Sequence, residues 1–262
     1  GLDGAGTGPI QPWPPGTCIV LVMSDGEGDD LWDPARYESF RAERDRPARD
    51  LLALVGPAPG GRAADLGCGT GRHTVSLHRQ LGVAETVGID SSARMLARAR
   101  RLAGPGLRFV LGDLADLGGL LRRLVARLAP GGQLAFQVPA NFDHPSHRIA
   151  DEVGADAGLP PLDRAITALS PARYAELLWA EGMRDIDVAL RIYGVEMART
   201  DQVLDWVGGT LLTRFERQLG ADRFEEFRSE YRRRLLVALG DPDGDRPYYY
   251  AFPRILCRAR RP

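Results

Sequence analysis

The chain has 262 residues, 44% of them hydrophobic, which is enough for one elaborated domain with a sizeable core. Its formal net charge is −1, with 34 basic residues, all of them arginine, against 35 acidic ones. This balance gives no electrostatic case for binding nucleic acid or a membrane surface. The three cysteines, Cys18, Cys68 and Cys257, are too few for a disulfide framework and favour a reducing, cytoplasmic location.

The first segment of the chain is rich in glycine and proline. We expect residues 1–30 to be a disordered or mis-annotated N-terminal segment, in which residues 1–22 lie upstream of a natural start at Met23, and residues 31–262 to form the folded domain with C-terminal cap elements. The apolar run from Cys18 to Met23 is far too short to cross a membrane. The first 22 residues also lack the basic region with which a signal peptide begins.

Two helices are predicted before the first motif. Asp33-Pro34 is typical of a helix start, because aspartate is a common N-cap and proline is favoured at the first helical position. Pro47 is predicted to end this helix. Asp45 is placed to cap a second helix that carries Leu51 and Val55.

A glycine-rich motif follows, with the sequence Asp65-Leu66-Gly67-Cys68-Gly69-Thr70-Gly71. It lies between a predicted strand, Arg62 to Leu66, and a predicted helix, His73 to Leu81. Glycines at alternate positions allow a sharp turn and a close approach of the backbone to a ligand. A second strand, Thr86 to Ile89, ends on Asp90, whose carboxylate can accept hydrogen bonds from two ribose hydroxyls. The pattern indicates a nucleoside site at the carboxyl ends of parallel strands.

The spacing of the glycines argues against a dinucleotide cofactor. A dinucleotide fingerprint has a third glycine at the position that Arg72 occupies here. Asp65 would repel a pyrophosphate but suits the cationic amino-acid end of another nucleoside. The run therefore resembles the first motif of class I S-adenosylmethionine (SAM)-dependent methyltransferases. A glycine-rich turn that binds no ligand is the alternative.

One strand is expected to be missing from the sheet. After a helix capped by Ser91 or Ser92 and a third strand, Leu107 to Leu111, only 16 residues separate Asp113 from the turn at Pro130. They hold one amphipathic helix, whereas a class I methyltransferase needs a helix, a strand and a helix, roughly twice that length. In that family the fourth strand lies mid-sheet beside the first. Direct pairing of the first strand with the fifth is one way to close the sheet.

The remaining elements are predicted without a gap. They are a strand from Gln133 to Val138, a helix from Ser170-Pro171 to Glu181-Gly182, a strand from Asp185 to Tyr193, a helix from Thr200 to Trp206, a helix from Asp222 to Leu239 and a strand from Tyr249 to Ala259. No cluster of His, Cys and Asp has the spacing of metal ligands.

Several short blocks narrow the resemblance to one family, the trans-aconitate 2-methyltransferases. The chain is similar to that family in Trp32-Asp33-Pro34, Tyr37, Phe40, Arg46-Pro47, Gly88-Ile89-Asp90-Ser91-Ser92, Gly112-Asp113-Leu114, Leu128-Ala129-Pro130-Gly131-Gly132, Gln137-Val138-Pro139, Asn141, Pro145-Ser146-His147, Trp206-Val207 and Phe252-Pro253-Arg254. The resemblance runs from about Trp32 to the C-terminus, except for the missing segment. It implies an α/β fold, a Rossmann-like class I methyltransferase sheet with a helical cap.

The resemblance also implies S-adenosyl-L-methionine as cofactor and assigns its contacts. Asp65 and the loop glycines Gly67, Gly69 and Gly71 would hold the methionine end. Asp90, with Ser91 beside it, would bind the ribose diol. Asp113 would bind the adenine amino group, and Leu114 would lie against the ring.

The implied reaction is the attack of a substrate carboxylate oxygen on the SAM methyl group, which gives a monomethyl ester. A carboxylate is already ionised at pH 7, so no catalytic base is expected. Arg46 and Arg254 are the candidates for binding the other carboxylates of a small carboxylic acid, with Tyr37 and Tyr193 as hydroxyl donors. The alternatives are a methyltransferase for another small molecule and a non-catalytic SAM-binding remnant.

Overall fold

A seven-stranded sheet forms the centre of the molecule. The structure, a computed structural model, describes residues 18–21, 40–112, 120–160, 168–209 and 211–262. The strands are β1 (Cys18–Leu21), β2 (Arg62–Leu66), β3 (Glu85–Asp90), β4 (Leu107–Leu111), β5 (Gln133–Pro139), β6 (Arg184–Met197) and β7 (Tyr248–Arg260). Their order in the sheet is β4-β3-β2-β1-β5-β7-β6. The first five are parallel to their neighbours, and β7 runs antiparallel to both β5 and β6.

Helices cover the sheet and build the cap. They are α1 (Arg41–Leu54), α2 (Arg72–Leu81), α3 (Ala93–Ala99), α4 (Leu120–Arg127), α5 (Pro145–Asp156), α6 (Pro171–Ala180), α7 (Gln202–Gly208) and α8 (Thr213–Ala238). One buried cluster joins α1 and α2 to the strands, and a second joins α4 and α6 to them. The predicted α/β class with a Rossmann-like parallel sheet is confirmed. Within the described ranges, no helix is long and apolar enough to cross a membrane.

The middle of the sheet differs from the expectation. β1 lies between β2 and β5 and is parallel to both, with Ile19 opposite Ala64 on one side and Leu134 on the other. Direct pairing of β2 with β5 is therefore wrong, and the mid-sheet position that was expected to be vacant holds a strand. The residues of β1 also do not fit the expectation that residues 1–30 lie outside the fold. The rest of that segment lies outside the described residues.

The sequence of β1 explains why it suits this position. Cys18-Ile19-Val20-Leu21 is a short, continuous apolar run with two β-branched residues. Central strands of parallel sheets are buried on both faces and have this composition, rather than an alternation of apolar and polar residues. The same run was considered above only as a membrane segment, for which it is too short.

Helix α1 continues through a proline. Pro47 was expected to end a helix, but it lies buried inside α1. Proline removes one backbone hydrogen bond, here to the carbonyl of Glu43. The helix continues because its later turns are fixed by packing: the side chains of Leu51 and Leu52 are buried against the sheet.

The cap is built on the far end of the antiparallel strands. β5 ends at Pro139, opposite Arg254, but the pairing of β6 with β7 continues to Met197 opposite Tyr248. Beyond the end of β5, the two strands pack with α5, α7 and α8 in the largest buried cluster. Helix α8 is kinked at Gly220 (φ 73°, ψ 168°), and its second part is the helix predicted from Asp222.

Candidate active site

The glycine loop is attached to the neighbouring strand by its own backbone. Gly67, Gly69 and Gly71 have φ values of 75°, 53° and 79°, in the left-handed region that favours glycine. The N–H groups of Gly67 and Cys68 donate to the carbonyl of Ile89 at 2.8 and 3.0 Å. The loop therefore has a fixed position at the carboxyl ends of β2 and β3, where the sequence predicted a nucleoside site.

Phe109 on β4 explains why two positions near the loop carry no side chain. A Cβ at Gly71 would lie 2.7 Å from the Phe109 ring, and one at Gly88 would lie 2.5 Å from it. Real Cβ atoms essentially never approach other atoms so closely. The ring thus packs directly against the backbone of β3 at Gly88 and against the loop at Gly71, the last residue before α2.

Asp90 connects the loop to the start of α3. Its Oδ2 accepts a hydrogen bond from the Gly69 N–H, and its Oδ1 accepts one from the Ser92 N–H, both at 2.8 Å. Ser92 caps α3, because its Oγ accepts from the Met95 N–H at 3.3 Å, while Ser91 is exposed beside Asp90. Each carboxylate oxygen has a further lone pair. Asp90 can therefore accept hydrogen bonds from a ligand while it holds the loop.

Asp65 lies beneath the loop. Its side chain is fully buried, and its Oδ2 accepts a hydrogen bond from the Thr74 hydroxyl at 2.6 Å. Thr74 is in the first turn of α2. Asp65 thus joins the end of β2 to the helix that follows the loop.

A second carboxylate holds the same helix from α1. Asp45 lies 3.1 Å from Nε2 of His73 and 3.4 Å from a guanidinium nitrogen of Arg72. The prediction that Asp45 caps a helix is wrong, since α1 already includes it. Its contacts with His73 and Arg72 instead join α1 to the first turn of α2.

Three predicted site residues, Tyr37, Asp113 and Leu114, lie outside the described residues. Gly112 is the last described residue before Asp113, and its N–H donates to the Asp90 carbonyl at 3.0 Å. Asp113 is the next residue in the sequence.

Arg254 lies at the same end of the sheet. It is opposite Pro139, the last residue of β5, and only 4% of it is exposed. Its Nη1 donates to Oε1 of Gln137 at 3.2 Å. Its guanidinium carbon is 5.9 Å from the centre of the Phe252 ring.

Tyr193 and Arg46 lie close to Phe252 as well. The rings of Tyr193 and Phe252 stack with their centres 5.4 Å apart, and the Arg46 guanidinium lies 5.4 Å from the Tyr193 ring. The two predicted arginines thus each lie near one ring of this aromatic pair. Arg46 is exposed and donates to the Gly194 carbonyl at 3.2 Å.

The Tyr193 hydroxyl already has a partner within the protein. It donates to Oδ2 of Asp50 at 2.8 Å, and Arg191 contacts the same oxygen at 2.6 Å. Burial, together with the bond to Asp50, raises the pKa of Tyr193 to about 12. Its proton is therefore not offered to a substrate carboxylate in this geometry, and Tyr193 instead holds β6 to α1.

Comparison with known proteins identifies the family. Residues 63–132 match the family described as a methyltransferase domain. The chain is 37% identical over 258 residues to the trans-aconitate 2-methyltransferase of Deinococcus radiodurans, covering 88% of this chain and 98% of that protein. It is 38% identical over 262 residues to the trans-aconitate 2-methyltransferase of Paracidovorax citrulli, with the same coverage. The chain belongs to the trans-aconitate 2-methyltransferase family.

A solved structure supports the fold. The YcgJ protein from Bacillus subtilis is similar with a TM-score of 0.54 and 14% sequence identity, covering 82% of this chain and 98% of that one. The family assignment made from the glycine motif and the flanking blocks is confirmed by the curated relatives.

One polar cluster near the site was not predicted from the sequence. In this family member, His144 accepts a hydrogen bond at Nδ1 from the Ser146 N–H at 3.1 Å, and its Nε2 lies 3.1 Å from the Tyr248 hydroxyl. Asn141 donates to the Tyr250 hydroxyl at 3.4 Å. Burial, with a smaller effect of the charge on His147, lowers the pKa of His144 to about 4. These contacts join the end of β5 to the cap.

The described residues contain no group of three or more His, Cys, Asp or Glu side chains arranged to hold a metal ion.

The sequence signal for the cluster at His144 was Pro145, a proline at the first position of a helix whose cap is an unusual residue.

Proposed function

We propose that this chain transfers a methyl group from SAM to a carboxylate of a small polycarboxylic acid such as trans-aconitate. The observation that carries the proposal is the position of Asp90. Its carboxylate lies at the carboxyl end of β3, is held by the Gly69 and Ser92 N–H groups, and retains lone pairs for the two hydroxyls of a ribose. The named relatives support the choice of acceptor.

The chemistry of the available groups fits SAM. The loop with Gly67, Gly69 and Gly71 would hold the methionine end, and Asp65 would act by fixing that loop through Thr74. Asp90, with Ser91 beside it, would bind the ribose. Asp113 and Leu114, outside the described residues, remain our candidates for the adenine.

The reaction does not require the protein to provide a catalytic base. SAM supplies a methyl group bound to a positively charged sulfur. A carboxylate is ionised at pH 7, so no residue has to remove a proton from the acceptor. The protein contributes by holding the two reactants in line, an effect worth up to about 7–11 kcal/mol for well-oriented groups.

Arg254 is our first candidate for binding a carboxylate of the acceptor. It is buried at the carboxyl end of β5, and a guanidinium can bind a carboxylate with two parallel hydrogen bonds. Arg46, whose guanidinium lies near the Tyr193 ring, is the second candidate. Tyr37 lies outside the described residues and stays a candidate hydroxyl donor. Because β1 occupies the middle of the sheet, the reason for expecting a damaged, non-catalytic remnant no longer applies.

The cellular location is part of this proposal. Cys68 and Cys257 are both buried, which supports the reducing, cytoplasmic location expected from the cysteine usage.

Replacing Asp90 tests the cofactor half of the proposal. We expect the protein to bind S-adenosylhomocysteine in calorimetric titration and Asp90→Asn to weaken this binding about ten- to a hundredfold, since hydrogen bonds to a charged group contribute about 1.5–3 kcal/mol. Asp156→Asn, on an exposed carboxylate that pairs with Arg234, is the control and should bind normally. Equal affinity in all three proteins would contradict the assignment of Asp90.

Replacing Arg254 tests the acceptor half. We expect mass spectrometry to detect a monomethyl ester when the protein is incubated with SAM and trans-aconitate. Arg254→Lys keeps the charge but loses the planar fork, so it should raise the KM for the acid at least about tenfold. Its affinity for S-adenosylhomocysteine should stay unchanged. Cofactor binding without any ester would show that the acceptor is a different molecule.

A further inference from the structure

The sheet contains a slot, which we define as the space between β2 and β5 that β1 fills. β2 and β5 each pair with β1 and not with one another. Neighbouring strands lie about 4.8 Å apart, so β2 and β5 are roughly 9.6 Å apart, too far for backbone hydrogen bonds between them. β1, a third strand parallel to both, pairs with the N–H and C=O groups that face this space.

The sides of this slot are not accessible to water. Ala63 and Ala64 on β2, and Leu134 and Ala135 on β5, are at most 1% exposed. Backbone groups at such buried positions need a hydrogen-bond partner from the protein. Loss of β1 would therefore remove the hydrogen-bond partners of these backbone groups and open the buried centre of the sheet to water, or force the sheet to rearrange.

The strand that fills the slot does not come from the expected place in the chain. The connection from β4 to β5 runs from residue 112 to residue 132, and its described part, residues 120–132, holds α4 and a turn but no strand. β1 instead precedes every other element that the structure describes. It is joined to α1 by residues 22–40, so it reaches the centre of the sheet from a different direction along the chain.

We propose that Cys18–Leu21 is a complementing strand, supplied by the N-terminal segment of the same chain, whose insertion between β2 and β5 completes the cofactor site. The occupant of the slot is this segment, acting within one molecule. The strand-insertion part stands on the pairing alone, and the part concerning the cofactor rests on the function proposed above.

The pairing register connects β1 to the glycine loop. Val20 lies opposite Asp65, the residue that fastens Thr74 at the start of α2. On its other side, Asp65 is opposite Gly88 of β3. β2 is therefore paired on both edges at the point where the loop begins. Removal of β1 would leave one of these edges unpaired.

Hydrogen exchange of the intact protein, followed by mass spectrometry, tests the insertion directly. We expect the amides of Ile19 and Val20 to exchange at least a hundredfold more slowly than in a free peptide of the same sequence, as slowly as those of β2. Exchange at the rate of the free peptide would overturn the proposal, whatever the stability of the rest of the protein.

Proline substitutions test the link to the cofactor. Ile19→Pro and Val20→Pro each remove a backbone donor from a central strand. Each should lower the Tm by about 5 °C or more and weaken binding of S-adenosylhomocysteine at least about tenfold. Ala5→Pro, in the same segment but outside the strand, is the control and should change neither. Unchanged Tm and affinity in the two strand variants would contradict the proposal.

The outcomes separate this inference from the proposed function. Protected amides in a protein that does not bind S-adenosylhomocysteine would retain the inserted strand and refute the cofactor assignment. Tight binding with unprotected amides would do the opposite. Protection found only in a concentration-dependent dimer would show that the strand comes from a second copy, which would overturn insertion within one molecule.

Discussion

The glycine at position 71 is determined by two independent constraints. Its φ of 79° is unfavourable for any residue with a Cβ, and the Phe109 ring occupies the space where that Cβ would lie. The sequence motif alone suggests only the first of these, because the ring comes from a strand 38 residues further along the chain. Both constraints act at the residue where the loop becomes α2.

Gly71→Ala should therefore be more harmful than backbone strain alone predicts. We expect about 1–2 kcal/mol from the left-handed conformation and about 1–3 kcal/mol from overpacking against Phe109, measured by urea unfolding. Gly60→Ala is a matched control, since Gly60 has a φ of 71° but no atom within 4 Å of the added Cβ. If the two variants lose equal stability, the contact with Phe109 has no energetic importance.

Helix α5 depends on a neutral histidine at its start. His144 accepts the Ser146 N–H at Nδ1, which it can do only while that nitrogen carries no proton. The pKa of His144 is lowered to about 4, mainly by burial, from an ordinary value of 6.5. Between these two values the unfolded chain binds a proton that the folded chain does not, so the free energy of unfolding decreases as the pH falls from about 6.5 to 4.

Replacing this histidine should remove that part of the pH dependence. Asparagine is a good N-cap and does not titrate, so His144→Asn keeps a cap on α5. We expect the Tm of the unsubstituted protein to fall between pH 6.5 and 4 more steeply than the Tm of the variant, as measured by thermal scans at several pH values. Identical slopes in the two proteins would show that another group causes the pH dependence.

At the level of elements, the sequence predicts best where a local signal decides the structure. Ser92, one of the two predicted caps, caps α3, and α6 begins at Ser170-Pro171 as expected, because a helix start needs only a side chain and the next turn of backbone. Pro47 misled the prediction, because the packing of α1 on the sheet outweighs one lost hydrogen bond. β1 could not be recognised as a strand of this sheet, since its partners are 45 or more residues away in the chain.

Over the whole molecule, site residues whose contacts lie close in the sequence were predicted better than those whose contacts come from distant elements. The cofactor motif was predictable because Asp65, the glycines and Asp90 belong to one β-loop-α-β unit of about 30 residues. The contacts of the proposed acceptor residues that the structure describes were not predictable, since those residues lie on α1, β6 and β7. The sequence offered Tyr193 as a hydroxyl donor, and only the structure brings Asp50 to that hydroxyl.

The antiparallel pairing of β6 with β7 has a consequence for how this enzyme family can diversify. Helices α7 and α8 lie in the chain between Met197 and Tyr248, and these two residues are opposite each other in the ladder. The fifty residues 198–247 thus form an insertion whose two ends meet at one position of the sheet. Insertions and deletions in exposed parts of this segment need not shift the strand register, so the length of the cap can vary while the glycine loop and Asp90 are retained.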